Sequence, residues 1–430
     1  MGKPRILLLT ATFPYRGGEP FLDMEVRALS EHFDLFILPC GAVIFEKTFD
    51  LPDNVRILEK EAKEIHNRRR DLASLIGASF SSLPDIFEEG TRNLPFFFHP
   101  KGFARAVWRS VRARIIAPIV SRACSREGVE LIYSYWMSYE ALTATMAVKE
   151  YGSKCLNLTR AHGHDLYHYA NTPGYCPFQK RIIEGIGRVA TVSLHGEKYL
   201  KNRYGKFAEK VSTFRLGVPP GPANKGSKDG VFRIVSCSAL KPVKRVHLIA
   251  EALQFADFPM EWTHIGDGPE MPRLSGIVTR TLKSNPGISI RLAGNMDNSN
   301  VMKFYDSNPV DLFVNVSMSE GIAVSIMEAI SRGIPAIATD VGGTSEIISD
   351  DLGSGWLLPV NFKPAALTSM IKGIRQTNSH IAAKGKAFQA WDVLFNAEKN
   401  YANYTGWLLK WITRAKTPEV STNGLGKDIT

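Results

Sequence analysis

The sequence predicts an α/β protein made of two doubly wound parallel-sheet halves that face one another across a central cleft. Three observations predict it. Short β-branched runs recur along the 430 residues with helical patterns between them, as βαβ units require. The length suits two or three domains at about 150 residues each. A stretch rich in Pro, Gly, Lys and Ser, PPGPANKGSKDG from Pro219 to Gly230, separates the runs into two sets and reads as a flexible surface linker. The expected units are a first domain over 1–218, the linker over 219–230, a second domain over 231–396, a C-terminal helix over 397–412 that packs back on the first domain, and a disordered tail over 413–430.

Taken in order, the first half gives strands at Arg5 to Thr10, Asp34 to Pro39, Glu130 to Tyr133, Cys155 to Thr159 and Val189 to Ser193. The second gives Phe232 to Ser236, Trp262 to Ile265, Ile288 to Leu292, Leu312 to Val316, Pro335 to Thr339 and Trp356 to Leu358. Open α/β sheets bind ligands beyond the C-terminal ends of their strands, so functional residues are sought in the loops that follow strands. Ala397 to Ile412 is an aromatic-rich helical pattern, and the polar segment from Thr413 onward has nothing to pack with.

Hydrophobic residues at 44% and charged residues at 22% exclude a mostly disordered or fibrous chain. The longest uncharged apolar runs, such as Ile115 to Val120, fall far short of the roughly 20 residues of a membrane span. The opening MGKPRILLLTA reads as a first strand, because it lacks the longer apolar core and cleavage site of a signal peptide. Cys40, Cys124, Cys155, Cys176 and Cys237 are scattered, odd in number and without a CxxC pair, which suits buried thiols in a reducing compartment. Of the net charge of +11, the residues up to Lys225 carry +9. Charge of that kind fits nucleic acid, an anionic membrane surface or a phosphorylated substrate equally well.

The most informative segment is SMSEGIAVSIMEAISRGIPAIATDVGGTSEII, after the strand DLFVNV. It sets Glu320, Gly321 and, eight residues after the first acid, Glu328 within a helical pattern. Eight residues of helix span about 12 Å, so the two carboxylates reach separate parts of an extended ligand. N–H groups of Ile322 and Ala323 at the helix start suit phosphate oxygens, while carboxylates accept hydrogen bonds from hydroxyls. The parts complement a nucleoside diphosphate sugar. Spacing alone fits a capped surface helix with ordinary acids equally well.

With its flanks, this segment resembles glycosyltransferase family 4, the retaining glycosyltransferases of GT-B fold, whose Glu-x7-Glu motif matches Glu320 and Glu328. The resemblance extends upstream to VSCSALKPVKRVHLIAEAL and HIGDGPEMPRL, and spans most residues from Pro4 to about Leu358. It implies two Rossmann-like domains, the second binding the donor and the first the acceptor. Carried over by residue, it implies that Glu320 binds hydroxyls of the transferred sugar and Glu328 the ribose. Gly321, Ile322 and Ala323 would contact sugar or phosphate through backbone amides, and Lys244 would neutralise the diphosphate leaving group. Many members carry an arginine five residues before that lysine, where this chain has Ala239; either Arg245 compensates or activity is weak, and the sequence leaves both open. Gly17 and Gly18, after the first strand, resemble the glycine-rich loop that faces the donor phosphates. His162, after the strand ending in LTRA, resembles the family histidine beside the reacting sugar. The resemblance further implies a UDP- or GDP-linked sugar as co-substrate, no metal or other cofactor, and front-face displacement without a protein nucleophile. His162, His164, Asp165 and His168 lie close in sequence, but only the i, i+4 pair His164 and His168 has a ligand-like spacing.

Lys101 to Arg126 holds seven basic residues and no acid, interleaved with apolar residues. Such a helix either lies on an anionic membrane near a lipid-linked acceptor or packs in the core with its arginines in solvent. The Arg68, Arg69 and Arg70 cluster reads as a solvated face. The function these readings favour is a glycosyltransferase acting on a glycan or lipid-linked acceptor in bacterial surface polysaccharide assembly, cytoplasmic and peripheral to the membrane. A catalytically weak partner subunit of another transferase is the alternative, motivated by Ala239. No RRM, zinc-finger or helix-turn-helix signature supports a nucleic-acid partner.

Overall fold

The computed structural model describes residues 2–16 and 19–416. Gly17 and Gly18, and the tail from 417 onward, lie outside the described residues. Seven parallel strands make the first sheet: β1 (Arg5–Thr10), β2 (Asp34–Pro39), β3 (Val55–Ile57), β4 (Leu131–Ser134), β5 (Leu156–Ala161), β6 (Arg188–Thr191) and β7 (Val211–Thr213), in the order β3-β2-β1-β4-β5-β6-β7. Six make the second: β8 (Phe232–Cys237), β9 (Met260–Ile265), β10 (Ile288–Leu292), β11 (Leu312–Asn315), β12 (Ala336–Thr339) and β13 (Gly355–Leu358), in the order β10-β9-β8-β11-β12-β13. Both orders run outward from the first strand and then reverse, which leaves a crevice at the carboxyl ends of β1 and β4 and of β8 and β11. The expected pair of doubly wound α/β halves is therefore the observed architecture.

Burial explains why these runs are strands. Ile6, Leu7, Leu8 and Leu9 are fully buried, since helices cover both faces of a parallel sheet and a continuous apolar run suits it. The edge strands β3 and β7, three residues each, escape the sequence pattern because they are short and half polar.

For the basic segment the structure favours the core-packed reading of the two the sequence allows. The helix Pro100–Glu127 runs through Pro118 without interruption and buries Val111, Ile115, Ile116, Ile119 and Val120 in the first-half core. Three of its arginines meet acids of neighbouring elements: Arg114 with Asp85 and Glu150, Arg122 with Glu64, Arg126 with Glu61. Most of its apolar residues are thus inside the protein, while Phe103 and Trp108 near its start stay exposed.

The chain passes between the halves at two adjacent places. Val218 N–H donates to Phe395 O (2.9 Å), Ala397 N–H to Val218 O (3.2 Å) and Trp391 Nε1 to Val218 O (3.0 Å). The segment expected to be a flexible linker is instead laid along the second half. Its Asn224 is buried and donates from Nδ2 to Tyr305 O (2.6 Å) and Asn308 O (2.8 Å). The helix Ala397–Lys416 buries Tyr404, Leu408 and Ile412 with Leu22, Val26 and Leu29 of the first half. It extends through Thr413 to Lys416, so the start expected for the disordered tail is helical.

Candidate active site

The loop after β5 carries His162, and a buried network aims it. Two residues earlier, Arg160 is fully buried in an ion pair with Glu25 (3.0 Å) and donates from Nη1 to Phe214 O (2.7 Å). Asp165 accepts from His162 N–H (2.9 Å) and Met137 N–H (2.8 Å), which staples the loops after β5 and β4 together. His162 Nε2 lies 3.1 Å from Tyr135 O. A carbonyl only accepts, so Nε2 carries the hydrogen and Nδ1 remains an acceptor. Burial and the neighbouring Arg160 push the imidazole down to about 3, so at neutral pH it is an uncharged hydrogen-bonding group. The rings of Trp136 (4.6 Å between centroids) and Tyr135 (4.7 Å) enclose it. Glu19, immediately after the two undescribed glycines, accepts from the N–H groups of Ala11, Thr12 and Phe13 and from Trp136 Nε1, and so fixes the turn after β1.

Across the cleft, the short helical turn Pro242–Lys244 after β8 presents Lys244, and the loop after β11 presents Glu320. Lys244 Nζ donates to Glu320 Oε1 at 2.6 Å. Glu320 precedes the helix Val324–Ile330, so the helical spacing expected between the two acids does not apply. Glu328, inside that helix, is buried and accepts from Asn298 Nδ2 (2.6 Å); burial pushes its carboxyl up to about 7.

A cavity of about 550 Å³ lies between the halves, with His162, Lys241, Lys244, Glu320, Gly321 and Ile322 on its walls. His162, Lys244, Glu320, Gly321 and Ile322 are thus brought together from both halves. Ala323, which caps the helix, and Glu328 stand behind that wall. Arg245 is not there either. Its guanidinium donates to the carbonyls of Val316 (2.9 Å), Val360 (2.8 Å) and Ser317 (3.4 Å), so the expected compensation for Ala239 does not come from it. Lys241, three residues before Lys244, puts the second cation on the wall. Sequence reasoning passed over Lys241 because a loop lysine carries no pattern of its own.

The halves touch at this site. A Cβ on Gly163 would lie 2.7 Å from Gly321 N, so only hydrogen on both residues permits the approach. Glu346 of the second half accepts from Leu194 N–H (3.0 Å) and His195 N–H (2.7 Å) at the start of the first-half helix Leu194–Arg203, and pairs with Arg215 (3.0 Å). His168, the partner of His164 in the i, i+4 pair, faces Gln179 (2.9 Å) and Arg203 (3.2 Å) instead of the cavity. Among the described residues no group of three or more His, Cys, Asp or Glu is placed to hold a metal ion.

Residues 222–380 match the family model described as glycosyl transferases group 1. The amylovoran biosynthesis glycosyltransferase AmsK of Erwinia amylovora is 26% identical over 162 residues, 35% of this chain and 39% of that protein. The N-acetyl-alpha-D-glucosaminyl L-malate synthase of Bacillus anthracis is 22% identical over 301 residues, 67% of this chain and 77% of that protein. Among solved structures, Anabaena HepE in complex with UDP superposes with a TM-score of 0.64 at 13% identity, covering 95% of this chain and 100% of the other, which bears on the fold alone.

Proposed function

With the chain a group 1 glycosyl transferase of GT-B fold, we propose that it moves a sugar from a UDP- or GDP-linked donor to a hydroxyl of a glycan or lipid-linked acceptor, with retention of anomeric configuration as in family 4. The observation that carries this reading is the cavity itself, where His162 of one half meets Lys244 and Glu320 of the other. Lys244 and Lys241 face the position where a diphosphate gathers negative charge, and neutralising it lowers the barrier to its departure. Glu320 accepts hydrogen bonds from sugar hydroxyls, and His162 Nδ1 accepts another. The acceptor oxygen bonds to the anomeric carbon on the face the diphosphate leaves. The electron pair of the broken C–O bond goes to a diphosphate oxygen, which takes the acceptor's proton. No metal is assigned a part. The relatives' names, in amylovoran and O-antigen biosynthesis, support a role in surface polysaccharide assembly.

A different helix than the basic one supports a position on a membrane surface. Along Leu72–Arg92, the residues Leu72, Ile76, Phe80, Leu83 and Phe87 are exposed, Phe80 by 69% and Phe87 by 71%. At 100° per residue they fall within an arc of about 80°, a single apolar stripe facing outward. Together with the net charge of +8 over residues 1–218 it suits an anionic lipid surface on the cytoplasmic side, where five free cysteines stay reduced. No helix among the described residues is long and apolar enough to cross a membrane.

A panel of UDP- and GDP-sugars, scored for nucleotide release with and without Mg²⁺, tests the transferase reading. One donor is expected to turn over without metal, with Glu320→Gln and Lys244→Ala each lowering kcat by about 10²–10³. Donor binding without turnover on any lipid-linked acceptor would favour the partner-subunit alternative, against which the second cation at Lys241 stands.

A further inference from the structure

A second cavity of about 550 Å³ lies in the first half, walled by Arg105, Trp108, Arg109, Trp136, Glu140 and His164, and by Asp165, whose two carboxylate oxygens are taken by the N–H groups of Met137 and His162. Trp136 and His164 also stand on the wall of the cleft cavity, so the two spaces adjoin. The second opens beyond the ends of β1, β4 and β5, where Ala11, Trp136 and His164 follow their strands. It is therefore on the ligand-binding edge of the sheet.

Its chemistry is specific. Arg109 is only 4% exposed, and its guanidinium donates to Pro177 O (3.1 Å) with no carboxylate within 4.0 Å among the described residues. Arg105 likewise holds neutral partners, Asn171 Oδ1 (3.2 Å) and Tyr175 O (3.4 Å). This contrasts with Arg114, Arg122 and Arg126 of the same helix, each of which has a carboxylate. Glu140 is 2% exposed, and its Oε2 accepts no hydrogen bond from any described residue. Burial pushes that carboxyl up to about 8, so at neutral pH it is predominantly uncharged and does not cancel the arginines. Trp108 is held from behind by the Arg112 guanidinium, 4.0 Å from its centroid, and Trp136 supplies a second aromatic wall.

We propose that this cavity is the acceptor subsite, and that it takes a sugar ring between Trp108 and Trp136 whose carboxylate or phosphate pairs with Arg105 and Arg109 while a ring hydroxyl meets Glu140. The proposal rests on the transferase reading and deepens it by naming the acceptor as anionic. A buried arginine without an anion is costly, and an oxyanion ligand removes that cost through charge-assisted, fork-shaped hydrogen bonds. The unpartnered Glu140 oxygen gives the acceptor hydroxyl a fixed partner within the cavity.

Calorimetry on the full chain, saturated with the nucleotide that the donor panel identifies, tests this with three probes. These are p-nitrophenyl glucuronide for a sugar carboxylate, farnesyl-diphospho-N-acetylglucosamine for a lipid phosphate, and p-nitrophenyl glucoside as the neutral control. One anionic probe is expected to bind at least about tenfold tighter than the neutral sugar, and which one does so identifies the source of the anion. Arg105→Gln and Trp108→Ala, both at partly exposed positions, are each expected to weaken that binding about tenfold while nucleotide affinity stays the same. Equal binding of the neutral sugar, or unchanged binding in Arg105→Gln, overturns the proposal. If nucleotide binds but neither anionic probe does, the subsite is wrong and the donor reading stands; if no nucleotide binds, the transferase reading itself falls.

Discussion

At the scale of single residues, the ribose-binding role that the resemblance implies for Glu328 would tie donor binding to pH. A ribose hydroxyl donates to an ionised carboxylate better than to a neutral acid, so under that role nucleotide binding favours ionisation of a group that burial holds at about 7. Affinity should rise as pH goes from about 6 to 8, with proton release near neutrality, and Glu328→Gln should flatten the profile. Calorimetry in buffers of different ionisation enthalpy measures both. The neighbouring Cys237 thiol is pushed up to about 12 and His162 down to about 3, so neither titrates in this window. For stability the sign is opposite. Between 4.5 and about 7 the folded state holds the Glu328 proton that the unfolded state has lost, so this group's contribution falls as pH rises through that window. A second residue-scale outcome concerns Arg160. Replacing Glu25 by Ala leaves a fully buried guanidinium without its anion and should cost about 3–5 kcal/mol in denaturant unfolding. Replacing the pair by Met and Leu should cost less, because no buried charge is left behind. Lys244, Glu320 and His162, which the structure brings to one cavity, were singled out in the sequence through the family resemblance. Lys241 and Glu140 were not, because what distinguishes them is which wall they face, and Arg245 misled because nearby backbone carbonyls take up its donors.

Strands were legible where an apolar or β-branched run stood out enough to read. Nine of the eleven strands read from sequence are central in their sheets, and the half-buried edge strands β10 and β13 span five and four residues, whereas β3 and β7 are set by the sheet beside them more than by their own three residues. The two long first-half helices show the same logic in reverse. Pro100–Glu127 draws attention by its charge, yet Arg114, Arg122 and Arg126 meet acids and most of its apolar residues are core. Leu72–Arg92 carries a plain helical pattern, and only its packing reveals that one apolar stripe is left outside while Ala78, Ile86 and Gly90 are buried. Phe80→Glu combined with Phe87→Glu should therefore abolish binding to anionic vesicles without lowering Tm. Burying each Phe contributes about 1.5–3 kcal/mol, so the loss should exceed about a hundredfold in vesicle partitioning. A fall in Tm would mean that the stripe is covered by protein.

For the molecule as a whole, the two halves were legible and their contact was not. Sequence gives no reason to pair Gly163 with Gly321, 158 positions apart, since each reads as an ordinary loop glycine. Gly163→Ala should wedge the cleft, which small-angle scattering would detect as a larger radius of gyration. Turnover should fall by at least about tenfold while nucleotide affinity at the second half changes little, because about 1 Å of misplacement between reacting groups is that costly. An unchanged radius and rate would mean that the observed approach is not the reacting geometry. The doubled passage of the chain at Val218 and Phe395 has a consequence of its own. A single peptide bond broken between Lys228 and Gly230 would not set the halves free, because the carboxyl-side fragment still ends its fold in a helix whose Tyr404, Leu408 and Ile412 are seated in the core of the other fragment. Nicked protein should elute from a sizing column as one species and separate into two bands only in detergent. The gene could likewise be divided at that point and its two products expected to find each other.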